Sequence, residues 1–322
     1  MSRVLLIAIY DNAGQMIELC KALNKYTEHD ARCITKTQTY LNYETDIYLP
    51  DYDTPTGMLE LRSLLSDRDF FIFSEFLPDD MPVKAILEEL GLYRKLTRNN
   101  VIIRTAGTNP QNKPEHYLFA QMRRGWTYAG GYHDYLISSG VGFVVFTRNI
   151  LPVDKIPEPN PPKDKIRVAF APTKRRKGVD AFNRVMKTMI QEYDNVEAVP
   201  ITGKSWRESI KIKSECNVTF DKLIGSTYGN SAIESMYLSH AVLSKIDYFN
   251  KVLFPDLPII RINTERDLYT KLKKLVENPE LIEEIGKKGR DFALKMHHPK
   301  VIAEQWDNLI KFVAEEKHVY GR

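Results

Sequence analysis

Short apolar runs separated by stretches of helical periodicity occur in two successive series along this chain, with a proline-rich break between them. Val4-Leu5-Leu6-Ile7-Ala8-Ile9 is apolar at every position, the pattern of a strand covered on both faces in a parallel sheet. Asp11-Asn12-Ala13-Gly14 is turn chemistry, and Met16, Ile17, Leu19, Cys20 and Leu23 follow at helical spacing. The same reading predicts strands at 31–34, 70–73, 101–104 and 142–146, with helices at 57–65 and 83–90. Pro157, Pro159, Pro161 and Pro162, four prolines in six residues, can continue neither a helix nor a central strand. Beyond them the spacing predicts strands at 166–171, 196–201, 218–220, 241–243 and 259–262. Helices are predicted at 178–193, 206–215, 232–239, 268–276, 280–296 and 300–317. This alternation predicts an α/β fold of two domains, each built on a parallel sheet.

The length of 322 residues suits two domains. Lys and Arg number 46 against 42 Asp and Glu, a net charge of +4 that by itself implies no polyanionic partner. The three cysteines, Cys20, Cys33 and Cys216, form no CxxC pair and no ligand spacing with histidine, which argues against a disulfide framework and a structural zinc site. They read as buried thiols in a reducing compartment. The run Val4–Ile9 is too short for a signal segment or a membrane span, and no other stretch approaches the ~20 apolar residues a span requires. The expectation is a cytoplasmic protein without a transmembrane segment, with peripheral contact to a membrane surface left open.

Two segments carry chemistry. In Ala171-Pro172-Thr173-Lys174-Arg175-Arg176-Lys177-Gly178-Val179-Asp180, four consecutive cations sit between a predicted strand and a predicted helix. The helix directs its N-terminal amides and positive dipole end at the same place, a combination that attracts phosphate or diphosphate. A solvated basic loop is the alternative. In Asp221-Lys222-Leu223-Ile224-Gly225-Ser226-Thr227-Tyr228-Gly229-Asn230-Ser231-Ala232-Ile233-Glu234, two glycines and several small polar residues join a short strand to a helix. Gly225 and Gly229 let backbone approach a ligand, and Ser231 can cap the helix. Glu234, placed in the first helical turn, either accepts bonds from ribose hydroxyls or complements the helix dipole.

These segments, with the closing run 277–312, resemble those of retaining glycosyltransferases of the GT-B fold, family 4 type. The resemblance covers about residues 166–315 and is weaker over 1–155. It implies two Rossmann-like domains facing across a cleft, with a C-terminal helix crossing back to the first. The corresponding divisions are an acceptor domain 1–155, a linker and hinge 156–165, a donor domain 166–300 and a returning helix 301–322. It implies a catalytic role for Lys177 on the donor diphosphate, with Arg175 or Arg176 beside it, and Glu234 as the ribose ligand. Thr173, Gly178, Ser226, Thr227, Tyr228, Gly229, Asn230 and Ser231 would line the nucleotide-sugar site. Gly14 corresponds to a family glycine near the donor phosphates, though a turn glycine fits it equally. The family's first Glu of a Glu-seven residues-Glu pair is Ser226 here, eight residues before Glu234.

The implied activity moves a hexose from a UDP- or GDP-sugar to a glycan or lipid-linked hydroxyl with retention. No cofactor and no metal are expected, since cations and helix ends offset the leaving diphosphate. Asp79-Asp80 read as loop acids. A modified nucleic-acid base is the alternative acceptor, and an inactive sugar-nucleotide-binding protein or a sugar-nucleotide epimerase is the alternative function. In the first domain, Arg104, Thr105 and Gly107 follow a strand where the family often has His-Gly. His116 and His133 read as structural or surface residues. The aromatic, glycine-rich stretch 125–134 reads either as a stacking platform for a sugar or base, or as a packed loop.

Overall fold

The computed structural model describes residues 1–105, 112–130, 144–172, 178–225 and 227–315. The chain forms two compact units, 1–150 with 299–322 and 151–298, so the Pro-rich segment belongs to the second. Within that unit the segment is bonded down: the Asn160 amide donates to the Ser214 carbonyl at 2.7 Å, and Arg290 Nη2 donates to both oxygens of Glu158 at 2.8 Å.

The first unit holds strands β1 (Arg3–Tyr10), β2 (Asp30–Thr37), β3 (Ile47–Tyr48), β4 (Phe70–Ser74), β5 (Val101–Thr105), β6 (Thr127–Gly130) and β7 (Val144–Phe146). Among the described residues they form one parallel sheet in the order β3-β2-β1-β4-β5-β6-β7. Its helices are α1 (Gln15–Tyr26), α2 (Pro55–Leu65), α3 (Val83–Glu89), α4 (Pro114–Arg124) and, from the far end of the chain, α11 (Pro299–Glu315). The unbroken apolar run of β1 has its expected cause. Val4, Leu6 and Ala8 pack with Met16, Leu23, Trp306 and Ile310 of α1 and α11. Leu5 and Ile7 point the other way, into Leu61, Leu65, Leu87 and Tyr117 of α2, α3 and α4. Alternate residues thus meet two different helical layers, and neither face admits a polar side chain.

The second unit holds β8 (Ile166–Phe170), β9 (Val196–Pro200), β10 (Val218–Lys222), β11 (Ala241–Ser244) and β12 (Ile259–Arg261), ordered β12-β11-β10-β8-β9 and parallel. Its helices are α5 (Val179–Glu192), α6 (Trp206–Ser214), α7 (Asn230–Tyr237), α8 (Tyr248–Leu253), α9 (Glu265–Glu277) and α10 (Glu280–His297). One face of the sheet, with Val168, Phe170, Val218 and Phe220, packs on Phe182, Val185, Met186 and Met189 of α5 and Leu268 and Leu272 of α9.

Four elements depart from the sequence reading. The stretch from Gly125 is no stacking platform up to Gly130. It contains β6, an interior strand paired with both β5 and β7, and Tyr128 is fully buried with its hydroxyl donating to the Tyr117 carbonyl at 2.9 Å. Trp126 is buried as well. Helices α4 and α8 and the two-residue β3 escape the periodicity, being short or lacking a clear apolar stripe. Residues 142–143 of the predicted fifth strand, and 131–134, lie outside the described residues.

All three cysteines are free and buried. Burial pushes the Cys20 thiol up to about 12 and the Cys216 thiol to about 11, and holds Cys33 well above its ordinary value. The thiolate is the form that attacks a thiol reagent, so none of the three should react in the folded protein at pH 8. Three should react after guanidinium denaturation; rapid labelling before it would contradict this burial.

Candidate functional site

In both sheets, the strand order reverses at one point, between β1 and β4 in the first and between β8 and β10 in the second. Loops leaving the carboxyl ends of the two strands at such a point diverge to opposite sides and leave a crevice, the usual ligand position in open α/β sheets. The two chemistry-bearing segments of the sequence are the loops that follow β8 and β10. They are neighbours in space: a Cβ built on Gly178, after the basic turn, would lie 3.2 Å from Leu223 Cβ and 3.3 Å from Phe220 Cζ, both at the end of β10. Phe182 of α5 stacks on Phe220, with ring centroids 5.5 Å apart. Thr173, Lys174, Arg175, Arg176, Lys177 and Ser226 themselves lie outside the described residues.

Both helices that begin here start without a side-chain cap. Gly178 caps α5 at φ +103°, a left-handed conformation that favours glycine, and Gly229 caps α7 in extended backbone. Neither cap residue places a carboxylate or hydroxyl over the helix end, and both helices follow strands that neighbour one another at the reversal point. Ser231 does not cap α7, as its sequence position suggests it could. The helix begins at Asn230, which puts Ser231 inside the first turn. Glu234 falls one turn later than expected, so complementing the dipole does not account for it.

Glu234 is held from both sides. Trp206 Nε1 donates to Oε1 at 2.8 Å, and Lys213 Nζ donates to Oε2 at 2.6 Å. Lys213 Nζ also reaches Ser231 Oγ at 3.0 Å and the Ser231 carbonyl at 3.5 Å. Lys213 and Trp206 come from α6, which Ser205 and Glu208 start with a reciprocal capping box. The sequence predicts a helix here but points to neither residue as part of the site. A signal is nevertheless present: Trp206, Ile210 and Lys213 recur at helical spacing and share the buried face.

The other residues of the second loop are tied locally. Thr227 Oγ1 donates to Asn250 Oδ1 at 2.8 Å. The Tyr228 ring is packed edge-on against Phe254, Phe292 and His297, so this residue presents backbone rather than its ring to a ligand. Gly225 has φ +125°. Asp221, buried at the end of β10, accepts from Ser244 Oγ at 2.8 Å.

In the first unit, the loop after β1 is self-contained. Asp11 accepts from the Met16 and Ile17 amides, each at 2.9 Å, and so takes up the start of α1 with the chain's own carboxylate. Burial pushes that carboxyl up, against the two amide bonds and Arg104. Arg104 Nη2 donates to Asn149 Oδ1 at 2.9 Å and Gln15 Oε1 at 3.3 Å, while Gln15 bonds both backbone groups of Ile150. Gly14 has φ +66°, and a Cβ there would come 2.5 Å from Tyr43 Cδ1. Gly203 has a similar φ of +65° with open space around it. Gly14→Ala should therefore destabilise by about 2–3 kcal/mol, and Gly203→Ala by about 1 kcal/mol from backbone strain alone. Equal denaturation midpoints for the two variants would refute the Tyr43 contact.

Asp79 and Asp80 are structural. Asp79 accepts from Arg123, from both Arg124 Nε and Nη2, and from Tyr93. Burial pushes its carboxyl up, but the bonds from Arg124 and Tyr93 outweigh it and leave it lowered. Asp80 accepts from the Leu77 amide and pairs with the half-exposed His116 at 2.7 Å. His133 and Gly107 lie outside the described residues. Among the described residues, no three His, Cys, Asp or Glu side chains are grouped to hold a metal ion, and no helix is long and apolar enough to cross a membrane.

No protein-family model and no curated protein matches this sequence. Solved structures match over nearly the whole chain. Sucrose-phosphate synthase from Thermosynechococcus elongatus has a TM-score of 0.64 at 13% identity, covering 97% of this chain and 99% of its own. The Anabaena protein HepE, in complex with UDP and glucose, has a TM-score of 0.63 at 9% identity, covering 97% and 100%. UDP-GlcNAc 2-epimerase from Neisseria meningitidis, bound to UDP-GlcNAc, has a TM-score of 0.55 at 12% identity, covering 96% and 98%. At such identities, the likeness establishes architecture. The chain has the GT-B fold: two Rossmann-like domains, with a C-terminal helix that returns to the first.

Proposed function

We propose that this protein is a glycosyltransferase that moves a hexose from a nucleotide diphosphate sugar, a UDP- or GDP-sugar, to an acceptor hydroxyl with retention. The observation that carries this reading is that α5 and α7, each entered through a glycine with no side-chain cap, follow the neighbouring strands β8 and β10 at the order reversal. Two dipole ends and the cations of 174–177 form a site for a diphosphate whose charge grows as the glycosidic bond breaks. Lys177, with Arg175 or Arg176, neutralises that charge without a metal. The backbone from Thr227 to Ser231 receives phosphate and sugar, and Glu234 receives the ribose hydroxyls. The second unit is thus the donor domain, and the first supplies the acceptor site. A saccharide or lipid-linked saccharide is the acceptor, and a modified nucleic-acid base is the alternative.

The solved structures support nucleotide-sugar chemistry as the class, since HepE is described with UDP and the Neisseria protein with UDP-GlcNAc. The latter favours a sugar-nucleotide epimerase as the second reading. One experiment separates the readings. The protein is screened by thermal shift against UDP-, GDP- and ADP-sugars, and the stabilising donor is incubated with and without saccharide acceptors. Transfer to an acceptor with the anomeric configuration kept is the expected result. A changed sugar nucleotide formed without acceptor points to the epimerase, and stabilisation with no turnover points to a binding protein.

A further inference from the structure

Lys213 is an unusual residue to find where it is. It sits in the last turn of α6 with a side chain 2% exposed, and an ammonium so buried persists only if its charge and its donors are met. All three of its N–H groups have acceptors: Glu234 Oε2, Ser231 Oγ and the Ser231 carbonyl. The ammonium therefore has no donor left for a ligand, and whatever it does for one passes through Ser231 and Glu234. Both are residues that the reading above places against the donor.

The carboxylate of Glu234 is fixed from two directions. Lys213 holds one oxygen and the Trp206 indole N–H the other. A carboxylate oxygen has two lone-pair sites, so each oxygen retains one in the carboxylate plane. Two lone pairs at a carboxylate's spacing suit the adjacent hydroxyls of a ribose. Without Lys213, the Glu234 carboxylate would lose one of its two anchors and could turn away from this orientation.

We propose that Lys213, assisted by Trp206, is the positioning residue that makes this site select a ribonucleotide, by holding the Glu234 carboxylate oriented toward the 2′- and 3′-hydroxyls. The inference rests on the reading of Glu234 as the ribose ligand. Lys213 acts before any sugar chemistry, so its signature is discrimination at the ribose rather than general loss of nucleotide affinity.

The test measures binding of the full chain to whichever of UDP, GDP and ADP it prefers, and to the 2′,3′-dideoxy form of the same diphosphate. The wild type should prefer the ribonucleotide about tenfold or more, as expected for hydroxyls bonded to a charged acceptor. Lys213→Met should lower ribonucleotide affinity to that of the dideoxy compound and leave the latter little changed. Lys213→Arg should recover part of the preference. Trp206→Phe, which removes one N–H and keeps the ring, should narrow the preference and serves if Lys213→Met does not fold. A folded Lys213→Met, or failing that Trp206→Phe, with wild-type discrimination overturns the role of these residues while sparing the donor site. A wild type that binds diphosphates without ribose preference overturns Glu234 as the ribose ligand. A wild type that binds none overturns the nucleotide site and this inference with it.

Discussion

Lys177→Ala should lower turnover with the preferred nucleotide-sugar roughly 10²-fold or more, with kcat falling further than KM rises. The next residue, Gly178, turns the chain through a left-handed conformation and α5 starts at Val179, so position 177 directly precedes a helix N-terminus. The end of β10 is within van der Waals reach of Gly178, and α7 opens without a cap. A cation at such a place would meet the diphosphate where negative charge accumulates during bond cleavage, so its contribution is larger in the transition state than in the ground state. Lys177→Arg should retain a measurable part of the rate, because charge counts for more here than fork geometry. Unchanged turnover in Lys177→Ala would remove the residue from the mechanism.

Gly286→Ala is expected to be the most damaging small substitution in the second unit. A Cβ at Gly286 would stand 2.0 Å from the Ser239 carbonyl oxygen and 2.7 Å from its carbon. The obstacle is backbone and cannot rotate away. Ser239 is held at φ +61°, its amide donates to the Met236 carbonyl at 3.0 Å, and the next amide, of His240, donates to the Ser235 carbonyl at 2.9 Å. To admit the methyl group, α10 must move off the end of α7, the helix that carries Ser231 and Glu234. Overpacking against fixed backbone should cost about 3 kcal/mol, or about 10 °C in melting temperature for a unit of this size. Gly289→Ala is the control. Its Cβ would make ordinary 3.4 Å contacts with Met236, and alanine gains up to ~1 kcal/mol of helix propensity. Equal melting of Gly286→Ala and Gly289→Ala would mean that α7 and α10 are not packed in this way.

The periodicity that makes the fold legible is local. The apolar runs of β1, β4 and β5 arise because each strand lies between two helical layers, and α1, α5 and α10 show their buried stripe within a few turns. β6 is legible only as a glycine-rich aromatic stretch. Four residues are too few for a pattern, and Gly130 is there because a Cβ would meet the Thr105 backbone of β5 at 2.6 Å. Polarity likewise hides the buried face of α6: Lys213 reads as solvated until its acceptors, 18 and 21 residues further along the chain, are seen around it.

The candidate site divides the same way. Residue type and order are enough to mark a basic turn and a small polar loop after two buried strands, because turn chemistry and charge are properties of neighbouring residues. That these loops are adjacent follows from β8 and β10 pairing side by side, a long-range choice of strand order. The engagement of Glu234 by Trp206 and Lys213 also arises only once the sheet has closed. Local sequence set what each segment carries. Packing decided which of those groups meet, because a buried charge must find its partner wherever the chain brings one.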